Sequence, residues 1–283
     1  MKKGISVIKR RNQVQGILFT LPAILGFLIF TLLPMAASLY LSFTDYRISN
    51  KPLLIGADNY VRLFSGEDYF FYKALGVTAY YVVLSVPTFL IVAFFIANLL
   101  NSEIKGMAIF RTIFYLPSIV PVVATSMIWA WLFNPDFGLF NSILKSLGLP
   151  QSQWIYNEKT VIPSIVLMGI WTTGSTMVIF LAGLQDVPKQ LYEAAKVDGA
   201  GYWKRMRFIT IPLMTPTLFF NLIMGMINGF QVFSQAYIMT DGGPNNASLF
   251  YVFYLYREAF RNSQMARACA CSWVLFIKIG RAH

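Results

Sequence analysis

Two sets of residues in this chain have types and spacing that chemistry can use. The first is Glu193-Ala194-Ala195, two residues, then Asp198-Gly199-Ala200. Two carboxylates beside small side chains offer charge and close backbone approach, which suits docking against another protein rather than bond breaking. The second is a row of amides, Asn221, Asn228, Gln231 and Gln235, at offsets 0, 7, 10 and 14, which fall on one face of a helix. An amide both donates and accepts, as sugar hydroxyls require. Amides also bond helix to helix inside membranes, and on spacing alone both readings stand. Thr172, Thr173, Ser175 and Thr176 can line a path or bond back to their own helix. Trp171 can stack on a sugar ring or sit in a core. Gly225 and Gly229, four apart, read as a close helix-packing pair. Catalysis has little to work with. The one histidine is His283, the last residue, and no G-x-x-x-x-G-K-[ST] phosphate loop occurs. Cys269 and Cys271, at i and i+2, would face different directions on a helix. No metal site is expected.

The elements that must carry these side chains follow from composition. Of 283 residues, 57% are hydrophobic and 12% charged, against about 25% charged in soluble domains. Five stretches without a charge, 12–44, 74–102, 112–135, 160–185 and 208–240, hold 33, 29, 24, 26 and 33 residues. Each exceeds the roughly 20 that a helix needs to cross a bilayer. A soluble globular protein, a disordered chain and a disulfide scaffold are excluded. The chain reads as an all-α, polytopic transmembrane helical bundle in a lipid bilayer. Expected spans are about Gly16–Phe43, Ala74–Leu100, Thr112–Phe133, Val161–Leu184 and Leu213–Gln235. Prolines 22, 34, 87, 117 and 121 fall within them and are tolerated where neighbours satisfy the freed carbonyls. Trp129 and Trp131 suit an interfacial end of the third span, and the aromatic-rich Leu249–Phe260 is expected along the interface. The run Ala268–Ile277, ten residues long, is too short to cross and reads as the start of a sixth span. Ile279-Gly280-Arg281-Ala282-His283 resembles a translated sequencing adapter. The organisation is therefore a segment 1–15, a transmembrane domain 16–277 containing a polar loop 185–212, and a non-native tail 278–283.

The net charge of +11 does not point to nucleic acid, because no basic stripe interleaved with aromatics lies outside the spans. It sorts instead by membrane side. With the N-terminus inside, the inner segments hold twelve basic and four acidic residues, and the outer loops nine basic, counting Arg267, and eight acidic. Basic residues gather on the cytoplasmic face, so the N-terminus and the loop 185–212 are placed there. The five stretches contain no Asp, Glu, Lys, Arg or His of the kind that ion-coupled transporters keep within the membrane.

The polar loop reads as helix, sharp turn, helix. Asp186 is expected to cap the first helix, with Pro188 in its first turn. Leu191, Ala194, Ala195 and Val197 give it an apolar face, and Gly199 supplies the left-handed geometry that ends it. A second short helix, about Tyr202–Phe208, runs to Ile211-Pro212 at the membrane. Glu193 and Asp198 can fix the turn or meet basic groups on a partner. An amphipathic helix lying on lipid would look the same to this point.

Glu193-Ala194-Ala195, Asp198-Gly199-Ala200, Ile209 and Pro212 together resemble the EAA signature of ATP-binding-cassette (ABC) importer permeases. Other stretches are similar to the carbohydrate-uptake branch, of the maltose and glycerol-3-phosphate type. They are Gly56-Ala57-Asp58-Asn59-Tyr60 with Leu63-Phe64, Phe110-Arg111 through Leu116-Pro117, Trp129 with Leu132-Phe133, Gly138 with Asn141, and Gly242-Gly243-Pro244. Met206, Ala266, Arg267 and Cys271 depart from the family's usual types. The resemblance covers roughly residues 16–277 and implies a type I importer permease of six spans in a bacterial cytoplasmic membrane. It implies that Glu193, Ala194, Ala195, Asp198, Gly199, Ala200 and Pro212 belong to a coupling helix docked on a separate ABC ATPase dimer, which holds ATP and Mg. No cofactor is then bound by this chain. The partners implied are a second permease in a heterodimer and an extracytoplasmic sugar-binding protein, and the solute is a carbohydrate, an oligosaccharide. A glycerol-3-phosphate permease of the same architecture would favour basic groups near its cavity, and only Arg111, at a span end, is available. A membrane-embedded enzyme would need an intramembrane nucleophile, carboxylate pair or ligand set, none of which is found. A stand-alone channel would conduct without any ATPase.

Overall fold

The computed structural model describes residues 2–102 and 106–280, with backbone alone at 2–12, 14 and 279. Glu103 and Lys105 of the inner charge count, the side chains of Lys2, Lys3, Lys9, Arg10 and Arg11, and the tail residues 281–283 lie outside that description. Among the described residues the chain is helical, without a β-strand. In order the helices are α1 (Lys2–Phe27), α2 (Leu33–Ser42), α3 (Asp58–Phe64), α4 (Tyr69–Leu100), α5 (Met107–Tyr115), α6 (Val122–Leu132) and α7 (Leu139–Ser146). There follow α8 (Val161–Trp171), α9 (Gly174–Gln185), α10 (Lys189–Val197), α11 (Tyr202–Arg205), α12 (Ile211–Phe230), α13 (Tyr251–Tyr256) and α14 (Met265–Gly280).

By length and apolarity, Gln15–Ser42, Tyr69–Leu100 and Tyr202–Phe230 can each cross a bilayer. Two more crossings are formed if each of two bent helix pairs counts as one. The first pair, Met107–Ile119 and Val122–Leu132, bends by 95°, where Pro117 and Pro121 remove ladder donors. The second, α8 and α9, bends by 52°. There the hydroxyls of Thr172 and Thr173 bond back to Gly169 O (2.9 Å) and Ile170 O (2.8 Å), which loosens a helix from within. Gly174 follows, and a Cβ on it would stand 2.5 Å from the carbonyl of Phe114. The short C-terminal run continues as α14, sixteen residues long.

Several local expectations are corrected. The short helix Tyr202–Phe208 does not stand alone: a π turn over Met206–Thr210 fuses α11 to α12, and Pro212 sits in the first positions of α12. A proline there has no interior hydrogen bond to break. Asp186 does not cap α10; it closes the end of α9, and Pro188 takes the N-cap position without a side-chain cap bond. The segment from Leu249 is no interfacial strip. Leu249, Phe250, Tyr251 and Phe253 are fully buried, the Tyr251 N–H donates to Thr78 Oγ1 at 2.8 Å, and Phe250 meets Tyr81 edge-on at 5.1 Å. Large rings gain more from burial against α4 than from a half-wet position. Likewise Trp129 is buried against Phe133 and Phe140, while Trp131 is exposed.

The chain divides into two units. Residues 1–68 and 255–280 form one. In it α14 packs on α2 and α3, and Trp273 Nε1 donates to Ser38 Oγ at 3.2 Å. The family-like Asn59 and Tyr60 are staples: Asn59 Nδ2 donates to Ser42 O and Thr44 O, both at 2.8 Å, and Tyr60 shares a hydrogen bond with Ser42 Oγ. Arg267 pairs with buried Asp68 and lies 3.6 Å from buried Glu258. Residues 69–254 form the other unit, in which α8, α9 and α12 pack around α4. Its inner end closes on Ala93, Ala97, Leu100, Phe180, Leu184, Val187 and Met214. Asn141 staples the α7 loop: its amide donates to Pro135 O and Ser152 O at 2.9 Å each, and its oxygen accepts from Ser152 N and Trp154 Nε1.

Candidate functional site

The loop after α9 folds into a knuckle. Helix α10 ends on Gly199, at φ +71°, a conformation that costs glycine nothing and other L-residues energy. The Gly199 N–H donates to Lys196 O at 3.0 Å and the Ala200 N–H to Ala195 O at 2.8 Å. This is the Schellman pattern, which satisfies carbonyls at the helix end. The turn is therefore held by backbone, and Glu193 and Asp198 are not needed for it. Both are exposed and make no ion pair or side-chain hydrogen bond among the described residues. Ala194 and Gly199 are exposed beside them, Ala195 and Ala200 are half-covered, and Val197 is 89% exposed. The base of the knuckle is anchored. Val187 is buried in the inner core cluster and Tyr192 packs at its edge. The Tyr192 hydroxyl meets Thr210 Oγ1 at 2.9 Å, two residues before the exposed Pro212.

A cavity of about 760 Å³ opens between α4, α6, α8, α9 and α12. It lies where the helices are interrupted: Ser118 and Val120 come from the 95° break, Thr172 from the 52° bend, and Val232 and Gln235 from beyond the end of α12. Non-helical backbone at membrane depth is tolerated where it lines a cavity. Of the amide row, Asn221, Asn228 and Gln235 line this space. Asn221 is buried and spends one N–H on Thr217 O at 2.9 Å. Gln231 does not line it, because α12 ends at Phe230 and Gln231, exposed, takes the C-cap. The helical offset rule fails past that point. Trp171 lies outside the lining too, its ring 6.1 Å from Trp129. Thr172, Ser175 and Thr176 do line it. So do Tyr81, Ser85 and Thr125, which no motif singled out. A stripe of Thr78, Tyr81 and Ser85 at offsets 0, 3 and 7 in an otherwise apolar helix was the available signal. No Asp, Glu, Lys, Arg or His lines the cavity. Gly225 and Gly229 pack closely on α4: added Cβ atoms would lie 3.2 Å from Val86 and 3.0 Å from Val82.

Residues 90–279, which include the knuckle and most of the cavity wall, match the family described as binding-protein-dependent transport system inner membrane component. The chain belongs to that family. It is an ABC transporter permease, a transport component built of apolar membrane helices. The probable ABC transporter permease protein YesP of Bacillus subtilis is 43% identical over 99% of this chain and 91% of its own length. The trehalose/maltose transport system permease protein MalF of Thermococcus litoralis is 34% identical over 86% of this permease and 82% of its own length. In three dimensions the permease is similar to a chain of a bacterial alginate ABC transporter solved with an alginate pentasaccharide-bound periplasmic protein. That likeness has a TM-score of 0.83 and 25% identity, and covers 98% of this chain and 94% of that one.

Proposed function

We propose that this permease imports an oligosaccharide across the cytoplasmic membrane of a bacterium, driven by ATP and Mg bound on a separate ABC ATPase dimer. The carrying observation is the knuckle: a turn closed by its own backbone, bearing two carboxylates with no partner in this chain and small residues that admit a foreign backbone. Glu193, Ala194, Ala195, Asp198, Gly199 and Ala200 form the docking contact, with Pro212 at the head of the helix that receives the movement. Transmission follows from the packing. Val187 and Tyr192 tie α10 to α9 and to the start of α12, and both of those helices line the cavity. A displacement of the docked knuckle therefore reaches Ser175, Thr176, Asn221 and Asn228. The excess of basic residues puts the knuckle and the N-terminus in the cytoplasm.

Hydroxyls and amides without fixed charge suit sugar hydroxyls, and Phe89 and Phe220 add apolar faces. The names of the relatives and the alginate transporter support a carbohydrate solute. A second permease completes the path as a heterodimer, and an extracytoplasmic binding protein delivers the sugar. This chain itself binds no cofactor.

The test is uptake by the assembled importer in proteoliposomes, with radiolabelled oligosaccharide against glycerol-3-phosphate. ATP-dependent uptake of the sugar is expected, falling at least tenfold in Glu193→Lys and Asp198→Lys. Exposed substitutions of this kind change stability by about 0.5 kcal/mol or less, so the thermal transition stays in place. Uptake of glycerol-3-phosphate alone, conductance without an ATPase, or full transport by both variants would each defeat the proposal.

A further inference from the structure

The seven residues after the knuckle serve neither the docking turn nor the cavity, and their chemistry is distinctive. Tyr202-Trp203-Lys204-Arg205-Met206-Arg207-Phe208 carries three cations, and no acidic residue occurs between Asp198 and Asp241. Trp203 is 80% exposed and Phe208 71%, and Lys204 and Arg207 are exposed with them. Trp203 and Arg207 are four apart, as are Lys204 and Phe208, so the four cover one flank of the helix. The Arg207 guanidinium lies 5.8 Å from the Phe208 ring. The segment belongs to the continuous helix Tyr202–Phe230. At 1.5 Å per residue, Ile209–Phe230 covers about 33 Å, enough for the roughly 30 Å hydrocarbon core. Residues 203–208 then occupy about the next 9 Å, the depth of one headgroup layer.

From this placement we infer that Trp203, Lys204, Arg207 and Phe208 form a docking surface for anionic phospholipid headgroups, anchoring the helix one turn from the knuckle. The two rings sit at the level where aromatic side chains favour the interface. The two cations complement lipid phosphate, and each gains on the order of 1 kcal/mol near an anionic surface. The anchor fixes the membrane end of the helix that the knuckle drives, and it is independent of the solute carried.

The experiment uses the assembled transporter in nanodiscs of phosphatidylcholine containing 30% phosphatidylglycerol, with bromine placed on either lipid at the same mole fraction. The signal is tryptophan emission lost in Trp203→Phe, read as a difference. Brominated phosphatidylglycerol is expected to quench it at least twofold more than brominated phosphatidylcholine. That preference should fall to about one in the double variant Lys204→Gln, Arg207→Gln. Should the double variant not assemble, 0.5 M NaCl in the unsubstituted transporter should reduce the preference instead. Equal quenching by the two lipids, a preference that survives both charge removal and salt, or no quenching by either, as when a protein subunit covers the flank, would overturn the inference.

Discussion

Replacing Gly199 separates backbone geometry from contact at the knuckle. Its φ is +71°, and a Cβ built on it would meet no atom within 4 Å. The cost of Gly199→Ala is therefore conformational alone, about 1–2 kcal/mol for an L-residue in the left-handed region. An exposed turn has little local stability in reserve, so that energy shifts the closed turn by a factor of about 5–30, and transport should fall by a similar factor. Gly199→Asn should fall much less, because asparagine visits that region. Gly199→Pro should abolish transport. It sets φ near −65°, deletes the bond to Lys196 O, and pushes Asp198 out of helical geometry. The assay is ATP-driven uptake by the reconstituted importer, paired with a thermal melt of the purified permease. The melt should not move, since the core around Phe180 and Leu184 is untouched. Asparagine as damaging as alanine, or normal uptake with proline, would refute the reasoning.

Three further outcomes are expected. Asn228→Ala should lower sugar uptake severalfold while Gln231→Ala leaves it unchanged, since Asn228 lines the cavity and Gln231 does not; uptake kinetics of both variants decide it. Asn141→Ala removes a group that holds four partners. Buried groups left unpaired cost about 1–3 kcal/mol each, so hydrogen exchange should rise across residues 134–160. Arg267→Met leaves Asp68 and Glu258 buried without their cation. Breaking such a pair costs about 3–5 kcal/mol, and denaturant melts should show it; an unchanged midpoint would mean that the pair adds nothing.

Much of the knuckle was legible in advance because its determinants are local. Glycine at the end of a short helical pattern predicts a left-handed cap wherever the loop sits, and Gly199 adopts it. The cap at Asp186 was misplaced because α9 runs one turn further than its apolar pattern suggests, leaving Asp186 to close it. The packing reading of Gly225 and Gly229 rests on small size alone, and size is visible in sequence. The amide row was only partly legible. A wheel drawn through Gln231 and Gln235 assumes a helix that stops at Phe230. Tyr81, Ser85 and Thr125 are single polar residues in apolar runs, and nothing in their own neighbourhoods marks them as facing the cavity.

Composition and charge spacing were sufficient for the helical membrane class, the extent of most crossings and the position of the exposed knuckle. Those properties depend on transfer of apolar side chains into lipid and on single-residue backbone preferences, both of which act over a few residues. Folding in three dimensions settled where the third and fourth crossings bend, which polar side chains surround the cavity, and whether the rings from Leu249 to Tyr254 meet water or α4. These outcomes depend on which surfaces far apart in the chain bury each other, and Thr78 finds Tyr251 only when 173 intervening positions have been folded.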